Sequence, residues 1–241
     1  MEYYYTKKEN VDLLKSELLI DDFEFKHLVK VLRKKSGDEL TITDGQRNIY
    51  YCRIRNIEKN RLICDIERTG FNLSEPETEL KLYLAPLRNS SRFEFAVEKA
   101  VELGVSSIHP VLTEHTVSKN SFSSSKSERL SRIIIGAMGQ SQRCLLPELK
   151  SAVTFEKMLE ETSGEAAKIV MYEYSDDKKQ FVFNNEIKSL SLLIGPEGGF
   201  SSNEITKLMN SGWQVKSLGD RKIRAETAAV VSVFYIINKL N

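Results

Sequence analysis

The chain has 241 residues, of which 41% are hydrophobic and 29% charged, and its formal net charge is +1. This is the composition of an ordinary soluble globular protein with room for a real core, in one or two domains. No apolar run approaches the roughly 18 to 20 residues that span a bilayer, and the N-terminal MEYYYTKKENVDLLK lacks the apolar core of a signal peptide, so we expect a cytoplasmic protein with no membrane partner.

The cysteines suggest neither a disulfide framework nor a zinc site. Cys52, Cys64 and Cys144 are odd in number and show no C-x-x-C pairing. We therefore expect small buried apolar side chains at these positions and predict no metal site.

Basic charge is concentrated near the N-terminus. Residues 26–61 contain ten Lys or Arg and four acidic residues, so this window carries +6 while the rest of the chain sums to −5. A phosphate-binding face would require such a concentration. A solvated basic face without a ligand is an equal alternative.

Residues 1–72 are predicted to form a small barrel-like β domain. A short helical piece contains HLVKVLR, and three β-prone runs follow it, each closed by Gly or Asn: DELTITDG, NIYYCRIRNIEKN and RLICDIERTG. The polar segment FNLSEPETE, residues 71–79, is the natural linker to a second domain, which we assign to residues 73–241.

The second domain is predicted to be α/β with a mostly parallel sheet, because strand-like runs alternate with longer helical stretches. The strands are LKLYLAP (80–86), SSIHPVL (106–112), KIVMYEY (168–174) and SLSLLIG (189–195). The helices between them are RFEFAVEKAVELG (92–104) and KSERLSRIIIGAMGQS (126–141).

The turn GPEGGF after the last of these strands has unusual backbone freedom. Three glycines, Gly195, Gly198 and Gly199, permit conformations that other residues avoid. The following Ser201 and Glu204 have the S-x-x-E spacing of a capping box, which predicts a helix directly after the turn. Ligands of open α/β sheets bind at such strand ends.

This turn does not match a known phosphate loop. It lacks the Gly-Lys-Ser/Thr of a P-loop and the G-x-G-x-x-G of the dinucleotide fingerprint. Glu197 would also place a negative charge beside the helix N-terminus that a phosphate needs. A ligand with positive charge, or one bound by backbone groups alone, fits better, and a purely structural tight turn is the alternative.

A second turn repeats the arrangement. In VKSLGDRKIRAETAAVVSVFYIINKL, residues 215–240, a strand leads through Gly219 and a basic segment into a long apolar helix. Because that helix is apolar on most faces, we expect it to be buried against the sheet or a partner subunit. Arg224 directly precedes this helix, and next to a buried helix we expect an arginine to contact other groups and not solvent alone.

These two turns, GPEGGFSSNEI and SLGDRKIRAETA, resemble those of the RsmE family of 16S ribosomal RNA methyltransferases in the SPOUT superfamily. EKAVELGVSSIHPV (98–111) is similar to the family's K-A-x-E-L-G-V-x-x-I-x-P segment, and HLVKVLRKKSGDEL (27–40) to its H-x-x-x-V-L-R-x-x-x-G-D stretch. The resemblance covers nearly the whole chain in the right order. It departs at GAMGQSQR (136–143), where two glycines weaken the family's helix.

The resemblance implies a PUA-like β-barrel domain that binds RNA and an α/β domain whose chain forms a trefoil knot. It implies a homodimer through the C-terminal domain. It also implies methylation of N3 of one uridine, conventionally numbered 1498, in 16S rRNA of the small ribosomal subunit. The implied cofactor is S-adenosylmethionine, whose sulfonium cation agrees with the argument against phosphate. The residues expected around it are Leu193, Gly195, Gly198, Gly199, Leu218, Gly219 and Ile223.

Catalysis then requires removal of the N3 proton and stabilisation of the uracil anion. Methyl transfer from a sulfonium needs no metal, so positioning and charge stabilisation should dominate. We predict that Arg224 stabilises the anion and that Arg88 holds uracil or phosphate. A packing or dimer salt-bridge role is the alternative for Arg224, and a surface role is the alternative for Arg88. Glu197 is a candidate base, while His109 and His115 fit core or surface positions better.

The predicted RNA contacts lie in the basic window: Lys30, Arg33, Lys34 and Arg55. Base specificity is expected from a flipped uridine. Two other functions remain open at this point: a SPOUT methyltransferase acting on transfer RNA, and a non-catalytic protein that binds ribosomal RNA. The paired glycine turns favour a functional cofactor site and so argue against the non-catalytic RNA-binding protein.

Overall fold

The computed structural model describes residues 2–117, 124–174 and 187–240. Two compact units divide the chain, Met1–Glu75 with Ile135–Leu146 and Pro76–Ile134 with Pro147–Asn241. No helix in these described ranges is long and apolar enough to cross a membrane.

A six-stranded sheet forms the framework of the first unit within the described residues. Its strands are β1 (Tyr3–Tyr5), β2 (Val11–Asp12), β3 (Glu17–Ile20), β4 (Glu39–Thr43), β5 (Asn48–Ile57) and β6 (Leu62–Phe71). The spatial order is β1-β4-β5-β6-β3-β2, and every pair is antiparallel except β1 with β4. Two bulges bend the long β5–β6 pair. The β-rich character predicted for this region is confirmed.

The helical piece around HLVKVLR is confirmed, although half of it is not α-helical. The piece begins as α1 (Asp22–Lys26) and continues into a π-helical segment, His27–Val31. A separate 3₁₀ turn, Lys8–Asn10, precedes it in the chain. Phe25 and Leu28 are buried on its inner side, where they join the strand side chains of the first core. All three cysteines are free and buried, as expected.

The second unit contains, within the described residues, a seven-stranded sheet in which every pair is parallel. Its strands are β7 (Glu79–Leu84), β8 (Ser107–Leu112), β9 (Glu148–Leu149), β10 (Val153–Thr154), β11 (Lys168–Met171), β12 (Ser189–Ile194) and β13 (Gln214–Lys216). The spatial order is β10-β8-β7-β12-β11-β13, and β9 also pairs with β8. The predicted α/β fold with a parallel sheet is confirmed.

The helices that follow β7 are given in chain order. They are α2 (Ser90–Glu102), α3 (Ser124–Gln140), α4 (Phe155–Glu161), α5 (Ser202–Asn210) and α6 (Ala225–Leu240). Strands β8, β11 and β12 are buried along nearly their whole length, as expected for a parallel sheet covered on both faces.

Two details differ from the sequence-based expectations. Helix α4 and the two-residue strands β9 and β10 were not predicted, because such short elements carry little periodicity. The strand predicted over KIVMYEY ends at Met171, although the N–H of Tyr172 still donates to the carbonyl of Lys216 in β13. The apolar helix predicted after Arg224 is confirmed as α6; Val231 and Phe234 on it remain exposed in this chain, so its burial against a partner subunit stays a prediction.

The end of α3 and the residues after it belong to the first unit. There the buried side chains of Arg143 and Glu75 form an ion pair at 2.8 Å, and the Glu75 carboxylate also accepts the N–H groups of Cys144 and Leu145. This fully paired carboxylate anchors the segment. The glycine-containing helix that departs from the family pattern continues to Gln140.

Register aligns the carboxyl ends of three neighbouring strands. Met171 of β11 lies opposite Ile194 of β12 and opposite Lys216 of β13. The connections after these strands, beginning at residues 172, 195 and 217, consequently leave the sheet along the same edge. This edge is where open parallel sheets bind ligands.

Candidate cofactor site

A cavity of about 370 Å³ lies at this edge, inside the second unit. Its walls come from the connections after β11, β12 and β13 and from the first turn of α6. The lining residues are Met171, Tyr172, Glu173, Ile194, Gly195, Pro196, Glu197, Gly199, Phe200, Ser217, Leu218, Gly219, Arg221, Lys222, Ile223, Arg224, Ala225 and Ala228.

The first glycine turn has the local structure that its sequence predicts. Gly199 has φ 68° and donates its N–H to the carbonyl of Pro196 at 2.9 Å, which closes the turn. Helix α5 begins after Ser201, whose hydroxyl accepts the N–H of Glu204, while the Glu204 side chain accepts the N–H of Ser201. The capping box and the strand-turn-helix arrangement are confirmed.

Gly195 is required for packing. A Cβ atom at this position would lie 2.8 Å from the ring of Phe200, which also lines the cavity. The aromatic ring thus sits directly against the backbone at the end of β12, and a larger residue at 195 would displace it.

The second glycine turn delivers the chain to α6. Gly219 has φ 110°, which favours glycine, and its N–H is bound by the hydroxyl of Ser217 at 3.2 Å. A Cβ atom on Gly219 or on Gly199 would meet no protein atom within 4 Å. Both glycines line the cavity, so their backbone is open to a ligand.

The cavity brings together most of the residues predicted for the cofactor site. Gly195, Gly199, Leu218, Gly219 and Ile223 line it. Two predicted residues do not: Leu193 is fully buried within β12, and Gly198 faces His115 instead.

The proposed catalytic residues divide in the same way. Arg224 and Glu197 line the cavity from opposite glycine turns, and Arg224 is exposed. Arg88 does not line it, but its main-chain N–H lies 3.1 Å from Oε1 of Glu197 and donates to it. Arg88 therefore meets the site through its backbone, and its side chain is exposed to solvent.

The third wall of the cavity is formed by residues that were not predicted from the sequence. Tyr172 and Glu173 follow β11, and Glu173 pairs with Lys222 of the second glycine turn at 3.3 Å. The rule that ligands bind at the carboxyl ends of parallel strands could have found them. They were not predicted because the predicted strand extended to residue 174 and so included them.

Both histidines considered as bases lie outside the cavity lining. His109 is buried in β8, where its Nε2 lies 2.8 Å from the hydroxyl of Ser107 and its ring stacks on Tyr83. Burial, together with Lys150 and Lys81, lowers the pKa of His109 to about 4, so it is neutral at pH 7. His115 contacts the first glycine turn from outside.

The predicted RNA contacts all belong to the first unit. Lys30 and Arg33 are exposed and Lys34 is half-buried, in or just after the π-helical segment. Arg55, on β5, instead forms ion pairs with Asp65 on the adjacent strand β6 and with Glu17 on β3, the next strand beyond it. Its charge is thereby largely compensated within the sheet.

Comparison with known proteins places the chain in a family. A model described as "RNA methyltransferase domain" matches residues 74–237, and one described as "RNA methyltransferase PUA domain" matches residues 20–67. A ribosomal RNA small subunit methyltransferase E from Mesomycoplasma hyopneumoniae is 32% identical over 84% of this chain and 86% of its own length. The chain belongs to the RsmE family of RNA methyltransferases.

Other RsmE proteins align over almost the full length. The relative from Aquifex aeolicus is 29% identical over 99% of this chain and 100% of its own length. The crystal structure of ribosomal RNA small subunit methyltransferase E from Neisseria gonorrhoeae bound to S-adenosyl methionine has a TM-score of 0.87 at 25% identity, covering 97% of this chain and 95% of the other. The RsmE resemblance drawn from the sequence motifs is confirmed, and the trefoil knot that it implies stays a prediction.

Proposed function

We propose that this protein transfers a methyl group from S-adenosylmethionine to N3 of a uridine in 16S rRNA of the small ribosomal subunit. The observation that carries the proposal is the cavity between the two glycine turns, in a chain that belongs to the RsmE family. A ribosomal RNA substrate agrees with a cytoplasmic location. The proposed domains are residues 1–72 for RNA binding and 73–241 for methyl transfer.

The cavity fits S-adenosylmethionine in size, surface and charge. A volume of about 370 Å³ lies in the range of roughly 300 to 1,000 Å³ that holds such ligands. Ile194, Phe200 and Leu218 offer apolar surface, while carboxylates and cations both line the wall, matching a ligand that carries both signs. The predicted contacts would be backbone groups near Leu193, Gly195 and the other glycines of the two turns. When bound, the cofactor supplies a methyl group on a positively charged sulfur.

Arg224 is the proposed anion-stabilising residue. When N3 of uridine loses its proton, negative charge spreads over O2 and O4, and a guanidinium beside them lowers the energy of that state. Arg224 is exposed at the cavity wall and stands at the start of α6, where Ala228 N–H binds its carbonyl. A rigid helix start holds its backbone in place. Arg88, in the connection after β7, is the proposed second contact to uracil or phosphate.

Glu197 is the proposed acceptor of the N3 proton. A carboxylate has about four lone-pair sites, and the N–H of Arg88 approaches its two oxygens at 3.1 and 3.3 Å. That contact orients the side chain at the cavity wall and leaves acceptor sites for a substrate proton. Geometry of this kind suits a general base.

RNA binding is proposed for cations of the first unit. The exposed Lys30 and Arg33 and the half-buried Lys34 would contact phosphates, which position the RNA without reading its sequence. Arg55 is retained as a weaker contact, because Glu17 and Asp65 already compensate its charge.

A homodimer through the second unit is also proposed. Val231 and Phe234 are 43% and 54% exposed on α6, a mostly apolar helix. Exposed apolar side chains grouped on one helix are typical of a surface that another protein covers.

The decisive experiment incubates the protein with methyl-labelled S-adenosylmethionine and one of three substrates: small subunits lacking the modification, naked 16S rRNA, or transfer RNA. Nucleoside mass spectrometry should find the label in 3-methyluridine from the small-subunit rRNA. Label in transfer RNA alone would assign the protein to the alternative substrate. Binding of rRNA with no saturable cofactor binding would identify a non-catalytic protein.

A further inference from the structure

We propose that His115 is a positioning residue of the cofactor site: its imidazole holds the Gly198–Gly199 segment of the first glycine turn in the shape that binds S-adenosylmethionine. The inference rests on the proposed function and extends it to a side chain outside the cavity lining. It follows from contacts between the connection after β8 and the turn after β12.

The imidazole bridges two consecutive carbonyl groups. Nδ1 of His115 lies 3.0 Å from the carbonyl oxygen of Gly198 and 3.2 Å from that of Gly199. A carbonyl only accepts hydrogen bonds, so these partners require the hydrogen on Nδ1. One donor therefore orients both carbonyls.

Close approach of the two segments explains why Gly198 does not line the cavity. A Cβ atom on Gly198 would lie 3.0 Å from Cβ of His115, tighter than ordinary contact, whereas a Cβ atom on Gly199 would meet no protein atom within 4 Å. The two glycines thus have different roles. Gly198 lets the histidine approach, and Gly199 lines the cavity.

The connection that carries His115 is itself held in place. The buried hydroxyls of Thr113 and Thr116 lie 2.9 Å apart, and the N–H of Thr116 binds the carbonyl of Thr113 at 3.1 Å. Between them, Glu114 donates its N–H to the buried carboxylate of Glu204 at 2.9 Å. That carboxylate also completes the capping box of α5, so His115 is presented from a fixed support.

Within the glycine turn, the hydrogen bond from the N–H of Gly199 to the carbonyl of Pro196 already orients one peptide group, and His115 adds contacts from outside the turn. In a trans peptide the C=O and N–H point in opposite directions, so the contact with the Gly199 carbonyl also orients the N–H of Phe200. Glycine backbones are otherwise free to rotate, and ordering even one residue on binding weakens affinity by about tenfold. His115 supplies that order before the cofactor arrives.

The test compares His115→Ala with His115→Asn, whose side-chain N–H₂ can replace the Nδ1 donor. Calorimetry with S-adenosylmethionine should show binding about tenfold weaker for the alanine variant and within about threefold of the parent protein for the asparagine variant. Val117→Ala, a change at an exposed position of the same connection, is the matched control and should bind normally.

Hydrogen exchange without cofactor supplies a readout independent of activity. Amides of residues 197–200 should exchange faster in His115→Ala and return toward parental rates in His115→Asn. Equal cofactor affinity and exchange in all variants would overturn the positioning role while leaving the proposed function intact, as would a loss of thermal stability alone. A parent protein that binds no S-adenosylmethionine would remove both.

Discussion

Arg224 and Glu197 both line the cavity, but their surroundings suit them to different proposed roles. Arg224 is exposed at the start of α6, whereas Glu197 is partly buried and tied to the main-chain N–H of Arg88. An unconstrained guanidinium can follow a developing anion, and an oriented carboxylate can accept a proton from a fixed direction. Each assignment leads to a separate experiment.

Replacing Arg224 with alanine is expected to lower single-turnover methyl transfer by about 10² to 10³, the usual effect of removing one group that stabilises developing charge. Cofactor affinity should stay within a few-fold. Arg221→Ala removes the same charge from the same turn and, since Arg221 also lines the cavity, measures how much of the loss comes from the charge of the turn and how much is specific to Arg224. A normal rate for Arg224→Ala would exclude the proposed role.

Replacing Glu197 with glutamine keeps an acceptor for the Arg88 N–H but removes the base. We expect kcat to fall by about 10² to 10⁴, with a smaller change in cofactor binding. The deficit should shrink as pH rises, because solution base can then remove the N3 proton. Rates measured from about pH 6 to 9 check this, and an unchanged kcat would reject Glu197 as the base.

His109 makes a prediction about stability and pH. Its folded pKa of about 4 lies below the ordinary value of 6.5, so between these values the unfolded chain binds a proton that the folded chain excludes. Stability should therefore fall as pH drops from about 6.5 to 4. His109→Gln, which can still bond Ser107, should show a shallower fall in urea midpoint; an identical pH profile would contradict the buried neutral histidine.

Helix α3 contains two glycines that differ in burial and in packing. Gly139 is buried, and a Cβ atom there would lie 2.2 Å from the carbonyl oxygen of Tyr3 in β1. Gly136, one turn earlier, is exposed and has no protein atom within 4 Å of its Cβ position. Sequence alone assigns both residues the same helix-weakening effect, while the structure gives Gly139 a packing role.

These glycines form a matched pair for mutation. Gly139→Ala should destabilise the protein by about 1 to 3 kcal/mol, because the clash with Tyr3 outweighs the gain in helix propensity. Gly136→Ala should stabilise it by about 0.5 to 1 kcal/mol through propensity alone. Chemical denaturation of the two variants measures the contrast, and equal effects of the same sign would refute it.

The whole molecule combines a first unit that carries the basic window of residues 26–61 with a second unit that holds the cofactor cavity. Of the predicted RNA contacts, Lys30 and Arg33 are exposed, whereas Arg55 forms ion pairs within its own sheet, as does the neighbouring Arg53. The proposed RNA surface is thereby concentrated in the segment from residue 26 to 35. This part of the chain retains five of the ten basic residues of the window.

The salt dependence of RNA binding tests this surface. Neutralising Lys30, Arg33 and Lys34 together with glutamine should weaken binding and reduce the slope of log K against log[salt] by roughly 2 to 3, since each lost phosphate contact removes about 0.7 to 0.9. Arg55→Gln should change the slope less. Filter binding or fluorescence anisotropy across salt concentrations measures both, and an unaltered slope in the triple variant would move the RNA surface elsewhere.

Local chemistry made the turns predictable from the sequence by itself. Capping of α5 by Ser201 and Glu204, the glycine turns and the long apolar helix after Arg224 all arise from interactions within a few residues, which sequence patterns record. The motifs in the two turns also carried the family resemblance. Strand type and the parallel character of the sheet followed from the alternation of buried strands and helices.

The pairing of strands that are far apart in the chain could not be predicted from the sequence in the same way. In the second unit, the order β12-β11-β13 brings Glu173 to the cavity, and the fold sets His115 against carbonyls more than 80 residues away. In the first unit, the order β5-β6-β3 places Arg55 beside the carboxylates of Asp65 and Glu17. Such contacts depend on which strands become neighbours, and a single sequence holds no local signal for that choice. Residues with similar sequence contexts, such as Gly198 and Gly199, therefore differ in role because the folded chain places them against different partners.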